Sequence, residues 1–113
     1  MRRRNFVRLV VLLAMLLPQL ACVGAPKGAR LYTEWCSECH AADGRGDPYR
    51  VGLSPGLDLH RSAALQNRST GWVYRTIRHG YNAMPGFDHQ LEHVEIEALV
   101  DYTIELVGTP AQP

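Results

Sequence analysis

Apolar positions recur with a helical period in three stretches of this chain, and almost nowhere does the sequence alternate as a half-buried strand would. The first stretch sets Gly28, Leu31, Tyr32 and Trp35 at i, i+3, i+4 and i+7, which predicts an opening helix over about residues 27–39. The second, over residues 72–79, predicts a helix with Thr70 as its N-cap, Arg78 and His79 in its last turn and Gly80 as its stop. The third begins after Asp88, where Leu91, Val94, Ala98, Leu99, Tyr102 and Leu106 share one face until Gly108 and Pro110 end the pattern. Residues 41–56 are rich in Gly, Asp and Pro and too weakly periodic for an element, so a surface-running loop is expected there. The pattern is all-α.

A further apolar run, from Leu9 to Leu17, does not belong to the folded part. It follows Arg2, Arg3, Arg4 and Arg8 and is closed by Pro18 and small residues, the three-part layout of an export signal. Nine residues are short for a membrane span. Residues 1–25 are therefore expected to be a signal peptide or an anchoring leader, and residues 26–113 the functional domain. Leu20-Ala21-Cys22 resembles the end of a bacterial lipoprotein signal, in which the cysteine is acylated, although Gln19 stands where that pattern has an aliphatic residue. The chain of 113 residues carries a formal charge of +1; without the four leader arginines, eight Lys and Arg stand against eleven Asp and Glu, a net charge of −3. That balance excludes a nucleic-acid-binding domain, which needs a clustered basic surface.

The dense reactive cluster is Cys36-Ser37-Glu38-Cys39-His40. Its C-x-x-C-H spacing suits covalent haem: two thiols one helical turn apart add across the two vinyl groups, and the next residue places an imidazole under the iron. A redox dithiol and a zinc site are the other chemistries of such a cluster. The dithiol expects a strand-to-helix junction, of which the flanks show no sign, and zinc expects four ligands where no second cysteine pair exists. With Met1 and Met15 in the leader, Met84 is the sole methionine of the domain, and it lies in the turn-rich Asn82-Ala83-Met84-Pro85-Gly86-Phe87. A core methionine belongs in a periodic segment; one between two helices and beside a proline fits an axial thioether better.

These residues together resemble a class I c-type cytochrome, a small all-helical protein with one haem. Gly28-Ala29-Arg30-Leu31-Tyr32 with Cys36 to His40 and the glycine-rich run after it is similar to that family's opening helix and haem loop. Ala83-Met84-Pro85 is similar to its methionine loop, and Leu99-Val100-Asp101-Tyr102 to its closing helix. The resemblance implies the cytochrome c fold, three to four helices wrapped around one haem c attached through Cys36 and Cys39, with His40 and Met84 as the iron's ligands. It also implies that Pro55 contacts the cofactor site, its carbonyl accepting the other ring N–H of His40, and that Gly28 and Tyr102 meet where the first and last helices cross. His79 is the rival sixth ligand; no catalytic residue is assigned.

The function so implied is one-electron transfer, not catalysis, since two axial ligands leave no open iron face. The chain would shuttle electrons between respiratory or dehydrogenase partners, as an exported protein in the periplasm or attached to a membrane facing it, through the leader or an acylated Cys22. A haem enzyme or gas sensor with an open sixth position, and a haem-free dithiol domain, are the alternatives. Arg61, Arg68, Arg75 and Arg78 precede the Met84 loop, whereas Asp88, Glu92, Glu95, Glu97, Asp101 and Glu105 follow it; two solvated helix faces explain this, and a docking dipole is the sharper reading.

Overall fold

The computed structural model describes residues 24–108. The leader expectation falls almost wholly outside them, as does the acylation expected at Cys22. The described residues are helical, and their one β-type pairing is an isolated bridge between Tyr81 and Met84. No helix among them is long and apolar enough to cross a membrane.

Helix α1 spans Lys27–Trp35 and α2 spans Ser37–His40. The single helix expected over 27–39 is therefore interrupted at Cys36, whose φ of −119° is stretched away from the regular helical value while its ψ stays helical at −37°. Two side chains compete for helix carbonyls next to the interruption. Thr33 Oγ1 donates to Ala29 O at 3.0 Å and Ser37 Oγ to Thr33 O at 2.7 Å, and such back-bonding bends helices.

The segment expected to be a plain loop contains a helix, α3, over Pro48–Leu53. Asp47 caps it, accepting from Arg50 N at 3.0 Å, Pro48 occupies the first turn, and Val51 is its one buried residue. Six residues are too few to show a period, so only the Asp-Pro start signalled this helix. Two 3₁₀ turns follow, Pro55–Leu57 and Leu59–Arg61, then α4 over Ala63–Gln66, capped by Ser62.

Helix α5 is Thr70–His79, so its N-cap is Ser69, one residue before the expected Thr70. Gly80 ends it with φ +80°, as the sequence implied. Helix α6, His93–Gly108, starts later than the pattern after Asp88 suggested, because residues 88–92 form a turn that closes with Glu92 N donating to Glu95 Oε2 at 2.9 Å.

The core is one cluster: Tyr32, Leu65, Val73, Ile77, Leu91, Ile96, Leu99, Val100 and Ile104. On α6 the buried row is thus Ile96, Leu99, Val100, Thr103 and Ile104, while Val94, expected inside, is 53% exposed. Helix α1 crosses α6 at Gly28, where an added Cβ would run into Ala98 O and lie 2.7 Å from Tyr102 Cβ. The Tyr32 and Tyr102 rings meet just beyond, 5.2 Å apart. The expected Gly28–Tyr102 contact is present, and it needs glycine because two helix backbones approach there. Glu97, Asp101 and Glu105 point outward along α6.

Candidate functional site

Cys36, Cys39 and His40 lie on the turn formed by α2. Cys36 O accepts from both Cys39 N, at 3.2 Å, and His40 N, at 3.0 Å, which winds the motif into one tight turn. Cys36 is half-buried against the apolar cluster, Cys39 is exposed, and neither is in a disulfide. Burial, and secondarily the neighbouring Cys39, pushes the free Cys36 thiol up to about 11. A dithiol nucleophile needs the opposite shift, so this environment disfavours the redox-dithiol reading. For zinc, no three His, Cys, Asp or Glu side chains converge as ligands among the described residues.

His40 is buried, with 9% of its surface exposed. Its Nδ1 lies 2.8 Å from Leu57 O, a distance at which the ring N–H donates to the carbonyl, and its Nε2 has no partner among the described residues. The acceptor is Leu57, not Pro55. The Pro55 carbonyl instead accepts Asp58 N at 3.2 Å, closing the 3₁₀ turn that carries Leu57 O to the histidine. Pro55 is itself exposed, so its place in the site is to begin that turn. Nothing in the sequence marks which backbone carbonyl of such a turn faces the ring.

The loop around His40 is sewn to the 3₁₀ turns. Gly46 N donates to His40 O at 2.8 Å, Leu59 N to Gly44 O at 2.7 Å, and His60 Nε2 lies 2.9 Å from Asp43 O. Gly46, at φ +70°, sits so close that an added Cβ would be 2.7 Å from Val51 Cγ2 and 3.1 Å from Leu57 O, the acceptor for His40. Arg50 Nη1 reaches Glu38 O at 3.3 Å and ties α3 to the cysteine turn. Tyr32, 1% exposed, donates its hydroxyl to Ala41 O at 2.7 Å. Burial, reinforced by the nearby acidic groups, drives its phenol well above the ordinary tyrosine range, so it stays a donor. Sequence reasoning placed Tyr32 in the core but missed this bond.

Met84 lies on the loop between α5 and α6, and it is half-buried against the core cluster, as is Cys36. The loop is a short hairpin: Tyr81 N donates to Met84 O at 3.1 Å and Met84 N to Tyr81 O at 2.9 Å, with Asn82 at φ +51°. Phe87 N and Asp88 N return to the last carbonyls of α5. Phe87 also packs edge-on against Trp35 with ring centroids 6.0 Å apart, which fastens this loop beside the cysteine turn. His79, the rival ligand, is exposed on the last turn of α5. Two thiols, one oriented imidazole with a free Nε2, and one thioether make a donor set that fits covalent haem, with the thiols in the C-x-x-C-H spacing of haem attachment.

The family described as cytochrome C oxidase, cbb3-type, subunit III matches residues 24–102. The chain is similar to the Cbb3-type cytochrome c oxidase subunit CcoP of Rhodobacter capsulatus, 27% identical over 107 residues that cover 83% of this chain and 34% of the relative. Similarity to the same subunit from a second strain of Rhodobacter capsulatus is 28% over 107 residues, with the same coverage. The chain spans about a third of the length of these curated relatives. It belongs to the cbb3-type subunit III family of c-type cytochrome domains, and its helical architecture is that of a cytochrome c.

Proposed function

We propose that this domain carries one covalent haem c and passes single electrons between redox proteins on the periplasmic side of a membrane, as a class I c-type cytochrome. Cys36 and Cys39 would hold the porphyrin as thioethers, His40 and Met84 would ligate the iron, and Pro55 opens the turn whose Leu57 carbonyl meets the histidine. The observation that carries this reading is the 2.8 Å contact between His40 Nδ1 and Leu57 O. A backbone acceptor on Nδ1 fixes the tautomer and leaves Nε2 as the ligating atom, the arrangement expected of an axial imidazole.

When bound, the haem supplies a one-electron iron couple. The residues around it set the balance of that couple. His40 gains basicity by donating to Leu57 O, which favours the oxidised iron, whereas the Met84 thioether and the apolar cluster behind it favour the reduced state. With His40 and Met84 both holding the iron, the haem would supply electron transfer without any bond being made or broken. Similarity to a cbb3-type oxidase subunit supports a respiratory oxidase as the setting of the donor and acceptor. Residues 1–25 would serve as a cleaved export signal or as an anchoring leader, with an acyl group on Cys22 as the other route of attachment.

The test is a visible spectrum and a mass of the mature exported protein. Expected are one added haem, a covalent pyridine haemochrome, and a far-red band in the oxidised spectrum that disappears in Met84→Ala. Retention of that band in Met84→Ala would refute the axial thioether. Binding of carbon monoxide by the unaltered reduced protein would point to an open iron face and to a sensor or enzyme. The same mass reports whether Cys22 is retained and acylated.

A further inference from the structure

We infer that Tyr32 is a positioning residue for the axial imidazole: its hydroxyl holds Ala41 in a backbone conformation that alanine does not favour, and thereby sets how His40 is presented. The inference rests on the reading of His40 as the proximal ligand.

Ala41 directly follows His40 and has φ +59° and ψ 167°, a region occupied almost only by glycine. A side-chain-bearing residue stays there only when its surroundings over-determine it. Here they do. Ala41 N donates to Ser37 O at 2.8 Å, and Ala41 O accepts both Tyr32 Oη, at 2.7 Å, and Gly44 N, at 3.2 Å. His40 O, one peptide earlier, accepts Gly46 N at 2.8 Å. The peptide between His40 and Ala41 is thus pinned on both sides, and of these anchors only Tyr32 reaches in from the helix core.

Packing alone does not account for the hydroxyl. The Tyr32 ring lies against Tyr102 in the α1–α6 crossing, where phenylalanine would fill the same space. A phenol buried to this degree needs an acceptor, and the acceptor it has is the carbonyl next to the candidate ligand. Freed from it, Ala41 relaxes toward ordinary backbone angles and turns the His40 peptide with it. The bond from His40 Nδ1 to Leu57 O then weakens, the imidazole becomes a poorer donor to oxidised iron, and the reduced state gains.

The experiment compares haem-loaded wild type, Tyr32→Phe, Ala41→Gly and the double variant by redox titration and by NMR shifts of the axial histidine ring. Glycine adopts the Ala41 conformation unaided, so it should make the hydroxyl dispensable. Expected in Tyr32→Phe is a rise in potential equivalent to about a threefold change in the reduced-to-oxidised ratio, or roughly 30 mV for one electron. In the Ala41→Gly background the same substitution should produce less than half that shift. An equal shift in both backgrounds, or none in the Ala41 background, overturns the inference. Should Tyr32→Phe fail to acquire haem, recovery of loading by Ala41→Gly supports it and absence of recovery overturns it. Wild-type protein that matures without covalent haem sinks the proposed function itself, and this inference with it.

Discussion

The two candidate axial residues are held in contrasting ways. On the histidine side, directional bonds converge: Leu57 O on the ring, Gly46 N on the His40 carbonyl, and the Tyr32 hydroxyl on the next residue. On the methionine side no hydrogen bond touches the side chain among the described residues. Met84 is located by a hairpin flanked by Gly80 and Gly86, both pressed against backbone, and by contact with the apolar cluster. The difference follows from the ligands themselves. An imidazole has two nitrogens, so a protein must choose the tautomer and aim the ring, whereas a thioether only has to be brought to a place. Orientation is written in hydrogen bonds, and place is written in loop geometry. The two sides should therefore fail separately.

The largest effect is expected from Gly80→Ala. Gly80 has φ +80° and ψ 172°, and a Cβ there would lie 2.5 Å from Met84 O, 2.8 Å from Gly86 N and 2.9 Å from Pro85 C, all backbone atoms that cannot swing aside. Strain of this kind costs about 3 kcal/mol or more. The loop should release Met84 while the cysteine turn is untouched, so the haem-loaded variant is expected to lose the far-red band and keep its covalent haemochrome. Loss of attached haem in Gly80→Ala would erase the contrast between the two sides.

Gly46→Ala is the mirror experiment and should cost about 2 kcal/mol, because its φ of +70° is unfavourable for alanine and the nearest atom, Val51 Cγ2, belongs to a buried side chain that can yield only slightly. Here the far-red band should persist, and the axial histidine's NMR shifts should move as Leu57 O is displaced. Urea unfolding and a spectrum of the same sample check both halves. A vanished far-red band with unmoved histidine shifts would mean that the two ligands are not independently supported.

How much of this was legible in the sequence follows the same division. The cysteine turn, His40 and Met84 could be named because their chemistry resides in side-chain identity and spacing, and α1, α5 and α6 because each is long enough to show a period. Leu57 could not be found, since its contribution is a backbone carbonyl, and Pro55 was named in its place because only the proline leaves a mark in the sequence. The Tyr32 hydroxyl was hidden behind its ring, which reads as core. On the last apolar stretch Leu91 and Leu99 are buried and Tyr102 and Leu106 pack against the core as expected, and only Val94 was misplaced, for a packing reason. Helix α6 carries Ile96, Val100 and Ile104 as well as Val94 and Leu106, so it is apolar over much of its circumference. Which part faces inward is decided by where α1 and α5 lie, and Val94 falls outside both.

Alkaline pH offers a finer probe of the histidine side. Burial raises the Tyr32 phenol above its ordinary value near 10, so the folded protein retains a proton that the unfolded chain gives up. The sign is fixed by that difference: the stabilisation is complete below about pH 10 and is lost as pH rises beyond it, at up to about 1.4 kcal/mol per pH unit. The free Cys36 thiol, raised from 9.0 to about 11, adds a similar loss beginning one unit lower, but only while it is a thiol. Urea midpoints between pH 8 and 11 should therefore fall earlier in haem-free protein than in haem-loaded protein, and Tyr32→Phe should flatten the later part in both. Identical profiles with and without haem would show that Cys36 does not carry the early loss.

The smallest effect expected is at Asp47→Ala, and it tests how far the histidine side extends. Asp47 caps α3 through Arg50 N, and α3 reaches the cysteine turn by the single bond from Arg50 Nη1 to Glu38 O. Removing an N-cap costs about 1 kcal/mol, and Pro48 continues to favour the first helical turn without it. The bonds that orient His40 come from Leu57, Gly46 and Tyr32, none of which lies on α3, so the axial histidine's NMR shifts and the potential should stay at their wild-type values while the urea midpoint drops. A shift of the histidine signals as large as that of Gly46→Ala would instead make α3 part of the orienting frame, with Val51 acting on Leu57 O through Gly46.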